Sequence, residues 1–140
     1  MSYLIDTNII SELRKGSRCD PNVARWYATV EDDDLYLSVL VIGEIRRGIE
    51  RARAKHPEKA ESLERWLAEL LLAFEGFILP IDQPVVQAWG FMTAGRSMPA
   101  IDTLQAATAK VRGLTFVTRN TVDVRDTGAE LFDPFTSPEK

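Results

Sequence analysis

The chain has one cysteine and one histidine in 140 residues. With Cys19 alone, no internal disulfide can form, and a reducing compartment suits the chain. His56 lies in the polar stretch Arg53-Ala54-Lys55-His56-Pro57, which reads as a connection between helices. No cluster of His and Cys can be assembled, so a structural zinc site is excluded. A Ser-His-Asp triad would have only His56 to draw on, without supporting context. Long apolar runs are missing too, and none approaches the length of a bilayer span. The opening Met1-Ser2-Tyr3-Leu4 lacks the basic segment of a secretory signal. The expected location is therefore the cytoplasm, with no membrane partner. Basic excess is also absent, the formal net charge being −4. If the chain is an enzyme, its chemistry has to come from carboxylates, with a hard cation held by oxygen ligands as the natural companion.

Hydrophobic residues make up 45% and charged residues 27% of the chain, which describes a globular protein of one domain. Short apolar runs at residues 3–5, 35–39, 77–81, 114–117 and 130–132 read as strands. Helical spacing of apolar residues runs over 8–13, 21–30, 39–53, 58–74, from about 84 to 92, and 100–112. Strands alternating with helices predict an α/β domain, with a mainly parallel sheet of four to five strands covered on both faces. The domain is expected over residues 1–134, followed by a frayed tail at 135–140.

Four acids stand out against this frame. Asp6 ends the first apolar run, in Leu4-Ile5-Asp6-Thr7-Asn8, and ligands of open α/β sheets sit beyond the carboxyl ends of the strands. Glu44 follows the second strand in Val41-Ile42-Gly43-Glu44-Ile45; a carboxylate beside an apolar stripe is costly unless it is paired or binds a cation. Asp102, in Pro99-Ala100-Ile101-Asp102, falls in the first turn of a helix, where the helix dipole favours an anion. Asp123 follows the fourth strand. Each alone has a simpler reading as a cap, a dipole partner or a loop acid; their joint placement next to successive strands is the signal. Asp82, followed by Gln83-Pro84, is assigned to capping a helix and left outside the set.

Clustered carboxylates raise one another's pKa values, and a divalent cation removes the conflict. Mg²⁺ and Mn²⁺ favour carboxylate and water oxygens and suit phosphate substrates. Setting the four acids aside leaves 17 acidic against 17 basic residues, so the rest of the chain is balanced. The local basic cluster of Arg46, Arg47, Arg51, Arg53 and Lys55 could hold a phosphate backbone. Arg96 and Arg119, close in sequence to Asp102 and Asp123, are further candidates.

On these segments, together with Ala106-Ala107-Thr108-Ala109 and Val117-Thr118-Arg119-Asn120, the sequence resembles the PIN-domain ribonucleases of the VapC toxin family. The resemblance implies a three-layer α/β/α fold and Mg²⁺- or Mn²⁺-dependent hydrolysis of RNA phosphodiesters. It places Asp6, Glu44, Asp102 and Asp123 on the family's acidic quartet. Asp6, Glu44 and Asp102 would hold the metal, and Asp123 would assist or bind a second ion. Asn8 and Thr118 match supporting polar positions, and Arg46 and Arg119 are taken as substrate-binding. A cognate antitoxin is the implied partner, the helical pair at 39–53 and 58–74 resembles the region that grips it, and a homodimer is the implied assembly. After Asp123 the family often has Phe, where this chain has Val124. A nuclease of this type outside a toxin pair is the neighbouring alternative. An Asp-dependent phosphatase or phosphoacceptor domain using Asp6 as nucleophile is the more distant one; a dehalogenase-type phosphatase wants a second Asp where Asn8 stands.

Overall fold

The central strand is set by three residues. Tyr3–Ile5 forms β1, flanked in parallel by β2 (Leu35–Ser38) on one side and β4 (Thr115–Val117) on the other. Strand β3 (Ile78–Leu79) extends the sheet beyond β2, and β5 (Glu130–Phe132) extends it beyond β4, both parallel. The order β3-β2-β1-β4-β5 reverses direction next to β1, which puts the topological switch point at the end of that strand. The computed structural model describes residues 1–136.

Period-two alternation splits the strand side chains between two helical layers. Ile5, Leu35, Leu37 and Val117 join a core cluster with Ile9, Val23, Val41, Ile45, Ile49, Leu67 and Leu70. These come from α1 (Thr7–Leu13), α2 (Pro21–Tyr27), α3 (Val39–Lys55) and α4 (Pro57–Ala73). On the opposite face Leu4 and Phe116 pack with Ala106, Ala109 and Leu114, against α6 (Ala100–Arg112). Helix α5 (Gln83–Thr93) lies outside α6 through Val85, Met92 and Ala107. Fully burying a side chain such as Leu4 or Phe116 is worth roughly 1.5–3 kcal/mol. The result is the expected three-layer α/β/α fold on a five-stranded parallel sheet. No helix among the described residues is long and apolar enough to cross a membrane.

Departures from expectation have local causes. The third strand is two residues long, because Pro80 has no N–H to continue the ladder. Helix α6 ends at Gly113, whose φ of 72° is the left-handed geometry a glycine adopts without strain; Leu114 is thereby spent on leaving the helix rather than on β4. Helix α2 stops at Tyr27, and the run Asp32–Asp34 is a 3-10 turn entering β2. The expected frayed tail is corrected over its first part. Phe135 packs against the core cluster, its carbonyl accepts from Asn22 Nδ2 at 2.9 Å, and its N–H donates to Asp133 Oδ1 at 2.9 Å. Residues 137–140 lie outside the described residues.

Candidate active site

Asp6 leaves β1 with its N–H still in the sheet, donating to the Val117 carbonyl at 2.9 Å. Its own carbonyl accepts from Ile9 and Ile10, so α1 starts on it. The side chain is 3% exposed and fully engaged. Oδ1 accepts from Thr7 N–H at 2.7 Å and Gln105 Nε2 at 2.9 Å. Oδ2 accepts from Thr118 Oγ1 at 2.6 Å and Asn8 Nδ2 at 3.4 Å. Asp6 thus caps α1 and also anchors a cross-sheet polar network. The network reaches further: Asn8 Oδ1 accepts from the Arg119 N–H, and Thr118 Oγ1 accepts from the Asn120 N–H.

Glu44 comes from the opposite wall. It sits two turns into α3, half-buried, and its Oε1 accepts from Thr7 Oγ1. Asp102 comes from the first turn of α6. Its pKa is pushed up to about 6, first by burial and then by the charges of Asp6, Glu44 and Asp123, with a hydrogen bond from Asn120 pulling the other way. Asp6, Glu44 and Asp123 thus lie near enough for their charges to be felt at Asp102. Among the described residues, no three His, Cys, Asp or Glu side chains are drawn together as tightly as a loaded metal site would hold them. Asp123 is exposed, on the 3-10 turn Thr121–Val124, and lines an adjoining hollow of about 300 Å³ with Arg96, Arg125 and Asp126.

Asp6, Glu44 and Asp102 share an open cleft of about 320 Å³ with Thr7, Asn8, Arg47, Gly48, Arg51 and Asn120. Larger hollows occur elsewhere, for example about 440 Å³ beside Trp26 and Phe132, but their walls carry no comparable set of acids. Of the expected residues, Asp6, Glu44, Asp102, Asn8 and Thr118 come together, and Asp123 stands on the neighbouring 3-10 turn.

The two expected substrate-binding arginines do not reach the cleft with their side chains. Arg46 is turned to α4, where Glu64 accepts from it at 2.9 and 2.7 Å and Glu50 at 3.1 Å. Arg53 joins the same network. The Arg119 guanidinium lies over the Phe135 ring, 4.1 Å from its centroid, and only its backbone serves the site. Arg96 is tied to the Met92 and Asp126 carbonyls.

Three functional positions were not foreseen. Gln105 is fully buried within the Ala-rich face of α6; a lone amide three residues after Asp102, in an otherwise small and apolar stripe, was the available signal. Thr7, next to Asp6, and Asn120, two residues after Thr118, lie inside the segments that carry the family resemblance, which was the available signal.

With this geometry in place, the comparisons with known proteins agree. Residues 3–128 match the PIN domain family, and the chain belongs to that family. It is 35% identical to Toxin FitB from Neisseria gonorrhoeae, with 94% of this chain and 97% of that protein covered. It is 29% identical to VapC ribonuclease Y4jK from Sinorhizobium fredii, covering 94% and 96% respectively. Among solved structures, a chain of FitAB bound to an IR36 DNA fragment superposes with a TM-score of 0.84 at 30% identity, over 96% of both chains. A chain of DNA-bound VapBC from Salmonella typhimurium shares the fold at a TM-score of 0.72 and 20% identity, covering 96% of this chain and 98% of that one.

Proposed function

We propose that the protein is a divalent-metal-dependent endoribonuclease acting as the toxin of a toxin–antitoxin pair. The observation that carries the reading is the convergence of Asp6, Glu44 and Asp102 on one cleft, with Asp123 near enough for its charge, like theirs, to add to the effect of burial in pushing Asp102 up to about 6. The donor set fits Mg²⁺ or Mn²⁺, being made of carboxylate oxygens with no His or Cys. Asp6, Glu44 and Asp102 would hold the ion, and Asp123, on the rim, would assist. When bound, such an ion lowers the pKa of water and offsets charge on a phosphoryl group. The protein's own part is positional. Gln105, Thr118 and Asn8 fix the Asp6 carboxylate, Thr7 fixes Glu44, and the cleft leaves one side open for a nucleic-acid strand. In-line attack of water on phosphorus would leave a 5′-phosphate and a 3′-hydroxyl.

The toxin role is supported by the names of the relatives, one a toxin and one a ribonuclease, and by the likeness to a FitAB assembly. An antitoxin polypeptide is accordingly the partner we assign, with a homodimer of this chain as the assembly. An aspartyl-phosphate mechanism fits the geometry poorly, since both Asp6 oxygens are occupied by donors and the group is buried.

Cleavage of single-stranded RNA with added Mg²⁺ or Mn²⁺ tests the reading. The wild type should cut and Asp6→Asn should not. Equal cutting by both, or cutting that survives EDTA, would overturn it.

A further inference from the structure

Helix α3 carries two kinds of arginine. Arg46 and Arg53 point to α4 and are neutralised there by Glu50 and Glu64. Arg47 and Arg51 are exposed, line the acid cleft, and have no ion-pair partner among the described residues. Residues i, i+3, i+4 and i+7 share one face of a helix. Glu44, Arg47, Gly48 and Arg51 have that spacing, and all four line the cleft. Arg47 and Arg51 stand one turn apart, about 6 Å along the axis.

Gly48 is the telling member. An interior glycine weakens a helix relative to alanine, so it needs a reason. Gly48 has no positive φ, and a Cβ built on it would meet nothing within 4 Å. Neither backbone conformation nor packing within the chain requires glycine there. Gly43 of the same helix is equally unconstrained; what sets Gly48 apart is that it lines the cleft, where a missing side chain gives clearance. With no side chain between Arg47 and Arg51, the helix surface is flat enough for another backbone to lie against it.

Taking the ribonuclease reading as given, we propose that the Arg47-Gly48-Arg51 face of α3 is the subsite for the RNA strand beside the scissile bond. The arginines bind flanking phosphates and Gly48 admits the ribose-phosphate backbone between them. The planar guanidinium fork suits phosphate oxygens. Its placement also answers an electrostatic problem. A chain of net charge −4 with three acids in its cleft and a fourth on the rim repels a polyanion, and two unneutralised cations on one wall give the strand a favourable line of approach.

The test uses an Asp102→Asn background, so that RNA stays intact, with Mg²⁺ present and a labelled twelve-nucleotide single-stranded RNA of mixed sequence as the probe. Fluorescence anisotropy over a salt series gives both affinity and the number of phosphates neutralised. Arg47→Gln and Arg51→Gln should each weaken binding about fivefold or more and reduce the slope of log K against log salt by about 0.7, the pair by about 1.4. Arg65→Gln, a charge-matched change at an exposed residue of α4, should leave both unchanged. Gly48→Ala should raise the melting temperature by about 2–6 °C, as helix propensity demands, and still weaken RNA binding. In the otherwise wild-type chain, all three cleft variants should raise KM more than they lower kcat.

An Arg47→Gln/Arg51→Gln double variant that keeps the affinity and slope of its parent would overturn the subsite while leaving the ribonuclease reading intact. A Gly48→Ala variant that binds RNA as its parent does, or that melts lower than its parent, would overturn the clearance role. A parent that binds no RNA, with a wild type that cleaves none, would overturn the ribonuclease reading and the subsite with it.

Discussion

The Gln105 side-chain amide donates to Asp6 Oδ1 at 2.9 Å, and neither side chain is open to solvent. This bond ties α6, which carries Asp102, to the end of β1, so two of the acids are held by one contact. Without Gln105, Oδ1 keeps the Thr7 N–H but loses one charge-assisted bond, a loss of about 1–3 kcal/mol. Gln105→Leu should therefore lower stability by about that amount in urea unfolding. It should reduce RNA cleavage beyond what the folded fraction accounts for. Gln105→Glu should be worse on both counts, because it sets a second carboxylate against Asp6. Wild-type cleavage by Gln105→Leu would show that Asp6 is positioned without it.

Thr7 serves the opposite wall by donating its hydroxyl to Glu44 Oε1, while its backbone N–H serves Asp6. Thr7→Val keeps the shape and the backbone bond but removes the hydroxyl. Cleavage should fall about tenfold or more, with a higher metal concentration needed for half-maximal activity, because the partners that orient a metal ligand tune its affinity. Thr7→Ser should restore most of the loss. A Ser variant no better than Val would mean that the methyl group matters and the hydroxyl bond does not.

Asp82 supplies the contrast. Its Oδ1 accepts from the Val85 N–H at 3.3 Å at the start of α5, and its Oδ2 accepts from Arg112 at 2.6 Å. It follows a strand as Asp6 does, yet it stands outside the cleft. Asp82→Ala should cost about 1 kcal/mol through the lost cap, read as a shift of the unfolding midpoint, with kcat and KM for RNA unchanged. A loss of cleavage greater than the loss of folded protein would bring Asp82 into the site.

The sequence made the strand-end acids legible because their signal is local. An apolar triplet running into Asp6 needs no knowledge of the rest of the chain, and Pro99 followed by Ala100-Ile101-Asp102 marks a helix start by itself. The three layers follow from the same alternation of strands and helices. The arginines were less legible. Arg46 and Arg47 are neighbours in sequence but about 100° apart around α3, and what separates them is Glu64, eighteen residues away on α4. The phase was recoverable, since Val41, Ile45 and Ile49 mark the buried stripe; the partner was not. The position of the Arg119 side chain was not legible because its ring partner, Phe135, comes from a segment with no periodic pattern. Gln105 was hidden by chemistry of an ordinary kind: a single amide in an alanine stripe declares itself only when its hydrogen-bond partner is visible.

The raised pKa of Asp102 yields a pH dependence with a definite sign. In the unfolded chain the carboxyl has its ordinary value of 3.8, and in the folded chain without metal it is pushed up to about 6. The folded state therefore holds the proton more tightly. The stability this contributes is fully present below pH 3.8 and is lost as pH rises through about 6. Above that, the charged Asp102 opposes folding against Asp6, Glu44 and Asp123. Because the side chain is half-exposed, solvent screening reduces the penalty to roughly 1–2 kcal/mol. Asp102→Asn should then raise the melting temperature of EDTA-treated protein at pH 7.5 while abolishing RNA cleavage, and the stabilisation should shrink toward pH 5. Added Mg²⁺ or Mn²⁺ should reverse the order, stabilising the wild type more than the variant, with metal affinity rising as pH passes about 6. A variant destabilised at every pH without metal would show that Asp102 is held by favourable contacts in the empty cleft, and that the four acids do not crowd one another.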